Sequence, residues 1–189
     1  MGLEIEAKMK ADDLESLRLR LESAGAVQQG EVLETNTYFD TPDGMLRQSD
    51  KGLRLRANHD SSDGDITYVI TFKGPRQPGA LKTRPETEFT VDDPEAATDL
   101  FEQLGYQKVL SFEKRRRTWQ YLGCKVELDE LPYLGTYVEV EGPTAEKVIH
   151  ARQALGLADQ PIVKTGYISL LMTYLAEHHL ADKNVKLRP

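Results

Sequence analysis

Apolar and polar positions alternate along much of this chain. Leu3, Ile5 and Ala7 fall on one face of a predicted strand and Glu4, Glu6 and Lys8 on the other, because strand side chains alternate with period 2. The pattern returns five times. Leu53, Leu55 and Ala57 alternate with Arg54, Arg56 and Asn58, and Ile66, Tyr68, Ile70 and Phe72 with Thr67, Val69, Thr71 and Lys73. Phe89 and Val91 alternate with Glu86, Glu88 and Thr90, Val126 and Leu128 with Glu127 and Asp129, and Val138 and Val140 with Glu139 and Glu141. Charge is sorted by strand: some strands carry acidic pairs, others Arg-x-Arg or a single Lys.

Strands are predicted over Leu3 to Lys8, Glu31 to Asp40, Gly52 to Asn58, Ile66 to Lys73, Glu86 to Val91, Lys108 to Tyr121, Lys125 to Leu131 and Thr136 to Glu141. Helical spacing of Leu14, Leu17 and Leu21 marks a first helix, opened by an Asp cap and closed by Gly25. A second has Asp93 as cap, Pro94 at its first position and Gly105 as stop. A third runs from Thr144 to about Leu155 and a fourth from about Thr165 to Leu180. Thr41-Pro42-Asp43-Gly44 is a turn, residues 59–65 and 74–82 are loops, and Lys183 to Pro189 is expected to fray. Strands in runs, without strict β-α-β alternation, predict one α+β domain over residues 1–189 with a mostly antiparallel sheet. About eight strands suffice to close a barrel, with about four helices outside it.

The strand around Phe112 to Trp119 is less clean. If Trp119 and Tyr121 lie on the apolar face, Lys114, Arg116 and Thr118 share the charged one, and Arg115 and Arg117 face outward. Leu110 and Phe112 break that parity, so a bulge or twist is expected.

The charged faces admit two readings. They meet water as cross-strand salt bridges, or the sheet curls so that they line one cavity. Enclosed charges need partners. Clustered carboxylates attract Mg²⁺ or Mn²⁺, and Arg and Lys attract phosphate oxygens. A polyphosphate with a divalent metal satisfies both sets.

Composition narrows the classes. Hydrophobic residues make 39% of the chain and charged ones 29%, and no apolar run is long enough to span a membrane. The start has no secretory signal shape, and the single Cys124 allows no internal disulfide, so a cytoplasmic location is expected. A net charge of −7 argues against nonspecific nucleic-acid binding. His59, His150, His178 and His179 show no metal spacing. Monomer and homodimer are both compatible with the sequence.

In order along residues 3 to 175, the chain resembles the CYTH superfamily, the triphosphate tunnel metalloenzymes. Its Glu-x-Glu-x-Lys signature is similar to Glu4, Glu6 and Lys8; its Leu-Arg-x-Arg strand to residues 53–56; its Lys strand to Thr71-Phe72-Lys73-Gly74. Glu86 and Glu88, Lys114 and Arg116, Glu127 and Asp129, and Glu139 and Glu141 resemble the later acidic and basic elements, and Lys164 the lysine before the last helix. The resemblance implies an eight-stranded antiparallel barrel tunnel holding a triphosphate. It implies catalytic and phosphate-binding roles for Lys8, Arg54, Arg56, Lys73 and Arg116, substrate contacts from Glu88, Lys114 and Lys164, and Mg²⁺ or Mn²⁺ held by Glu4, Glu6, Glu127, Asp129, Glu139 and Glu141. Hydrolysis of inorganic triphosphate, thiamine triphosphate or a nucleoside triphosphate is the implied activity. Asn36-Thr37-Tyr38-Phe39-Asp40-Thr41-Pro42 resembles the small triphosphatase branch, and the His-Phe pair of the cyclase branch is missing ahead of Glu4. The alternatives are a class IV-type adenylate cyclase and a non-catalytic polyphosphate- or nucleotide-binding module.

Overall fold

A computed structural model describes residues 2–187. In chain order the elements are β1 (Gly2–Lys10), α1 (Leu14–Ser23), β2 (Val27–Asp40), α2 (Met45–Gln48), β3 (Gly52–Asp60), β4 (Ile66–Lys73), β5 (Lys82–Val91), α3 (Pro94–Gln103), β6 (Gln107–Tyr121), β7 (Cys124–Leu131), β8 (Gly135–Glu141), α4 (Ala145–Ala154), α5 (Tyr167–Glu177) and β9 (Asn184–Val185). The sheet order is β2-β3-β4-β5-β1-β8-β7-β6-β9, and β2 also pairs with β6. That pairing closes an eight-stranded antiparallel barrel, with β9 added in parallel beside β6.

Local chemistry places the helices where the pattern predicts. Asp13 accepts from the Ser16 backbone N–H and Asp93 from those of Glu95 and Ala96, with Pro94 at the first position of α3. Gly25 and Gly105 adopt positive φ just past α1 and α3.

The apolar faces of the strands are covered from outside. Leu17 and Leu21 of α1 and Val148, Ala151 and Leu155 of the α4 region pack on Ala7, Met9, Val126, Leu128, Val138 and Val140. Ala97 and Phe101 of α3 pack on Phe39, Leu53, Leu55 and Ile70. Burying apolar area of this kind stabilises by about 25 cal/mol per Å².

α5 departs from the expected covering role. Leu171 and Leu175 pack on Leu110, Phe112, Leu131 and Tyr137, which have the same strand parity as Lys114, Arg116, Asp129 and Glu139. The helix therefore caps one end of the barrel, where the interior is apolar. This removes the parity conflict in β6. Pairing with β2 is regular along β6 from Leu110 to Thr118, so no bulge separates Leu110 and Phe112 from Lys114 and Arg116; the irregularities lie at Tyr38/Phe39 and at Gln28/Gly30, opposite Thr118 and Trp119. Leu110 and Phe112 point inward with the charges because α5 covers their end.

Three further differences follow from tertiary pairing. A short helix, α2, follows the Thr41–Gly44 turn, its Leu46 and Arg47 N–H groups donating to Asp40. β5 begins at Lys82, four residues before the predicted Glu86, because it pairs with β1 as far as Glu6–Lys82. The predicted fraying fails over Lys183 to Leu187: Ser111 N donates to Lys183 O, Val185 is 2% exposed in the α5 cluster, and Leu187 N donates to Glu113. Residues 188 and 189 lie outside the described residues. No helix among the described residues is long and apolar enough to cross a membrane.

Candidate active site

The barrel's inward face carries the charges. They enclose a cavity of about 920 Å³. Of the predicted residues, Glu4, Glu6, Lys8, Arg54, Arg56, Lys73, Glu88, Lys114, Arg116, Glu127, Glu139, Glu141 and Lys164 line it; Asp129 sits behind Arg116 and does not. Thus period 2 placed each strand residue on the correct face, and barrel closure turned those faces toward one space. Arg115 is exposed and pairs with Glu130 at 2.7 Å, and Arg117 points toward Glu15, both outside.

One group of cations gathers around Glu34, a residue the sequence reading passed over. Glu34 is 1% exposed, with Arg56 Nη1 at 3.1 Å, Lys114 Nζ at 3.0 Å and Arg116 Nε at 3.7 Å. Asn36 Nδ2 donates to the same carboxylate, and Arg56 Nε donates to Asn36 Oδ1. Burial opposes ionisation of Glu34, yet Arg56, Lys114 and Arg116 hold its carboxyl well below the usual range. Arg54 lies beside this group, donating through Nη2 to Thr71 Oγ1, which donates in turn to Glu88. Burial and the neighbouring Arg54 push the Arg56 guanidinium below its ordinary value.

The carboxylates predicted as one metal set divide into two. Asp129 accepts from Arg116 on both oxygens and from Tyr167 Oη at 2.9 Å. Glu127 pairs with Arg116 Nη1 at 2.7 Å, and Glu141 with Lys125 Nζ at 2.8 Å. These three pair with Arg116 of β6 and Lys125 of β7. Glu4, Glu6 and Glu139 form the other set. Lys73 Nζ lies 2.6 Å from Glu4 and 3.0 Å from Glu86; Lys82 Nζ lies 2.7 Å from Glu6; Lys8 Nζ lies 3.8 Å from Glu139, which also accepts from Arg116 Nη2 at 2.6 Å. Lys8 is 1% exposed and stacks its ammonium over the Tyr167 ring at 4.2 Å. Burial, then Glu139, then Glu4 push the Glu6 carboxyl up to about 7 against the pull of Lys82. Burial opposes ionisation of Glu139 also, but Arg116, Lys8 and Lys114 hold it low. Lys82, the second residue missed, was hidden by the late start assigned to β5; its parity with Glu86 and Glu88 was the available signal.

Two buried polar atoms on this face lack a hydrogen-bond partner among the described residues: Arg54 Nε and Glu4 Oε2. One is a donor without an acceptor, the other an acceptor without a donor or cation. Trp119 Nε1 and Arg152 Nε, away from the cavity, are unpartnered as well; the two in the cavity differ in facing a space where a ligand can complete them.

Residues 2–160 match the CYTH domain family. The chain belongs to the CYTH family. A protein of Methanocaldococcus jannaschii, MJ0240, named as a candidate adenylate cyclase, is 26% identical over 177 residues, 89% of this chain and 98% of that protein. Adenylate cyclase CyaB of Aeromonas hydrophila is 26% identical over 147 residues, 77% of this chain and 72% of that one. Among solved structures, the PH1012 protein of Pyrococcus horikoshii OT3 superposes with a TM-score of 0.74 at 27% identity, covering 88% of this chain and 98% of that one.

CYTH tunnel proteins are generally metal-dependent, so the chain's own donors must be tested against a cation. Among the described residues no three acidic, His or Cys side chains converge as a ready ligand set. The donor chemistry nevertheless fits a hard divalent ion at Glu4, Glu6 and Glu139: all are carboxylates lining the cavity, and Glu4 Oε2 is unpartnered.

Proposed function

We propose that this CYTH protein hydrolyses a phosphoanhydride bond of inorganic triphosphate or of an organic triphosphate such as thiamine triphosphate or a nucleoside triphosphate. The observation that carries the reading is the pair of unpartnered atoms, Arg54 Nε and Glu4 Oε2, in a cavity with cations on one side and carboxylates on another. A phosphate chain accompanied by a divalent cation completes both.

In this reading Arg54, Arg56, Lys73, Lys114 and Arg116 hold the phosphate chain, with Lys8 and Lys164 at its flanks. The charge of Arg116 is preorganised because Asp129 and Glu127 fix its guanidinium before substrate arrives. Such fixed charge neutralises what builds up on the departing phosphate without reorganisation. Water attacks the terminal phosphorus, the bridging P–O bond breaks with its electron pair leaving on the shortened chain, and the proton lost by the water is taken up by the phosphate products. Glu4, Glu6 and Glu139 would hold Mg²⁺ or Mn²⁺, whose chemistry is to neutralise phosphate charge and acidify water. Glu88 orders Thr71 and through it Arg54.

Phosphate release from tripolyphosphate, thiamine triphosphate and ATP, each with Mg²⁺ and with Mn²⁺, tests the proposal. Turnover of one or more is expected, and its loss in EDTA. Tight triphosphate binding without any turnover supports a binding module instead. The names of MJ0240 and CyaB favour a second reading, cyclisation of ATP. Cyclic AMP in the ATP reaction, in place of free phosphate, would establish that one.

A further inference from the structure

Lys82 is a buried cavity cation that lies outside the group assigned to the phosphate chain. It is nearly buried at the start of β5, opposite Glu6 in the β1–β5 register. Its ammonium lies 2.7 Å from Glu6 Oε1, and it is the only cation within salt-bridge distance of Glu6 among the described residues. Glu4 has Lys73, and Glu139 has Lys8 and Arg116.

We propose that Lys82 is the resident counter-ion of Glu4, Glu6 and Glu139, and that a divalent cation enters by displacing its ammonium from Glu6, so that Lys82 sets the metal affinity of the cavity. This rests on the assignment of those carboxylates to the metal in the proposed function.

Charge and geometry argue for displacement. Glu6 cannot present the oxygen it shares with Lys82 to a metal while the ammonium stays there, because two cations in contact repel strongly at low effective dielectric. The pairing also accounts for the lack of convergence among Glu4, Glu6 and Glu139 in the described residues: each is turned to a protein cation. Lysine suits the part. Its ammonium is a single point charge on a flexible four-carbon arm, whereas Arg116 grips Asp129 in a two-point fork. The cavity beside it has room for the released arm. Glu4 Oε2 is the oxygen that no protein cation has claimed and so the natural first contact for an entering ion.

The test titrates Mn²⁺ alone into the full chain by calorimetry, without triphosphate. Lys82→Met is expected to bind at least about tenfold tighter than wild type, since one repelling charge is gone, and Lys82→Arg no tighter than wild type. Equal or weaker binding by a folded Lys82→Met protein overturns the proposal. Wild-type protein supplies a check that needs no variant. With ¹⁵N-lysine labelling, Mg²⁺ is expected to shift the Lys82 Nζ resonance and to speed exchange of its protons; an unmoved resonance overturns the proposal. Metal binding that displaces Lys82 without phosphate release removes the hydrolase reading alone. Phosphate release with unchanged Lys82→Met affinity removes this inference alone.

Discussion

Arg116 holds Asp129 by both edges of the carboxylate: Nε lies 2.6 Å from Oδ1 and Nη2 2.5 Å from Oδ2. Asp129 is 0% exposed, so this fork is screened from water. It makes Asp129 a positioning residue for Arg116. Arg116 keeps Glu127 at 2.7 Å and Glu139 at 2.6 Å, so the loss is the fork itself and the acceptor of Tyr167 Oη, and Asp129→Ala is expected to lower unfolding free energy by about 1–3 kcal/mol. It should also weaken tripolyphosphate binding, since Arg116 then swings toward Glu127 and Glu139. A urea midpoint equal to wild type contradicts the assignment.

Glu34 pairs with Arg56, Lys114 and Arg116, and on the proposed function it competes with the phosphate chain for them. Glu34→Gln is expected to be less stable than wild type without ligand, because three cations lose their shared anion. The rise in Tm on adding tripolyphosphate is expected to be larger in the variant than in wild type, because ligand that binds only the folded state stabilises it in proportion to affinity. Thermal shift with and without tripolyphosphate measures both; a smaller ligand shift in Glu34→Gln counts against the arrangement.

Glu6 and Glu139 predict opposite pH trends in metal-free protein. Glu6 ionises near 4.5 when unfolded and near 7 when folded, so between those values the folded state holds the extra proton and stability falls as pH rises. Glu139, held low by Arg116 and Lys8 against burial, contributes stability that is present above pH 4.5 and is lost as acid protonates it. Glu6→Gln should therefore gain stability relative to wild type as pH rises from 4.5 to 7, and Glu139→Gln should narrow its deficit below 4.5. Parallel stability–pH curves for Glu6→Gln and wild type would refute the Glu6 assignment.

The run Arg115-Arg116-Arg117 offers an internal control, because neighbours in a strand face opposite ways. Arg54→Ala is expected to lower kcat/KM for the best triphosphate by about 10²-fold or more, the scale of one lost transition-state contact. Arg115→Ala and Arg117→Ala, outside the barrel, are expected to change it by less than about twofold. Steady-state kinetics on the three variants decides this.

Val185 ties the end of the described chain to the barrel through β9 and the α5 cluster. Val185→Asp buries a carboxylate among Leu110, Phe112 and Leu175 and is expected to cost about 2–5 kcal/mol. Denaturant unfolding checks it; no change would mean that the tail does not dock.

The lesson for reading such a chain lies in particular residues. Arg54, Arg56, Glu127 and Glu139 were assigned to a face correctly because alternation is a property of the extended backbone. Glu34 shares parity with Asn36 and Tyr38, and Lys82 with Glu86, so the signal for both was present but covered, for Lys82 by the misplaced start of β5. Leu110 and Phe112 conflict with the parity of Lys114 and Arg116 only if an inward face is charged along its whole length. α5 makes that assumption fail.

By itself, then, the sequence determined the strands, their two faces, the sorting of acid and base among them and the capped ends of the helices, all consequences of local backbone geometry and short-range spacing. Only the tertiary structure decided that β2 meets β6 to close the barrel, that α5 caps one end, and which carboxylate answers which cation. Those outcomes depend on residues far apart in the chain, such as Lys82 with Glu6 and Arg116 with Asp129, and parity cannot say which opposite charge a side chain will face.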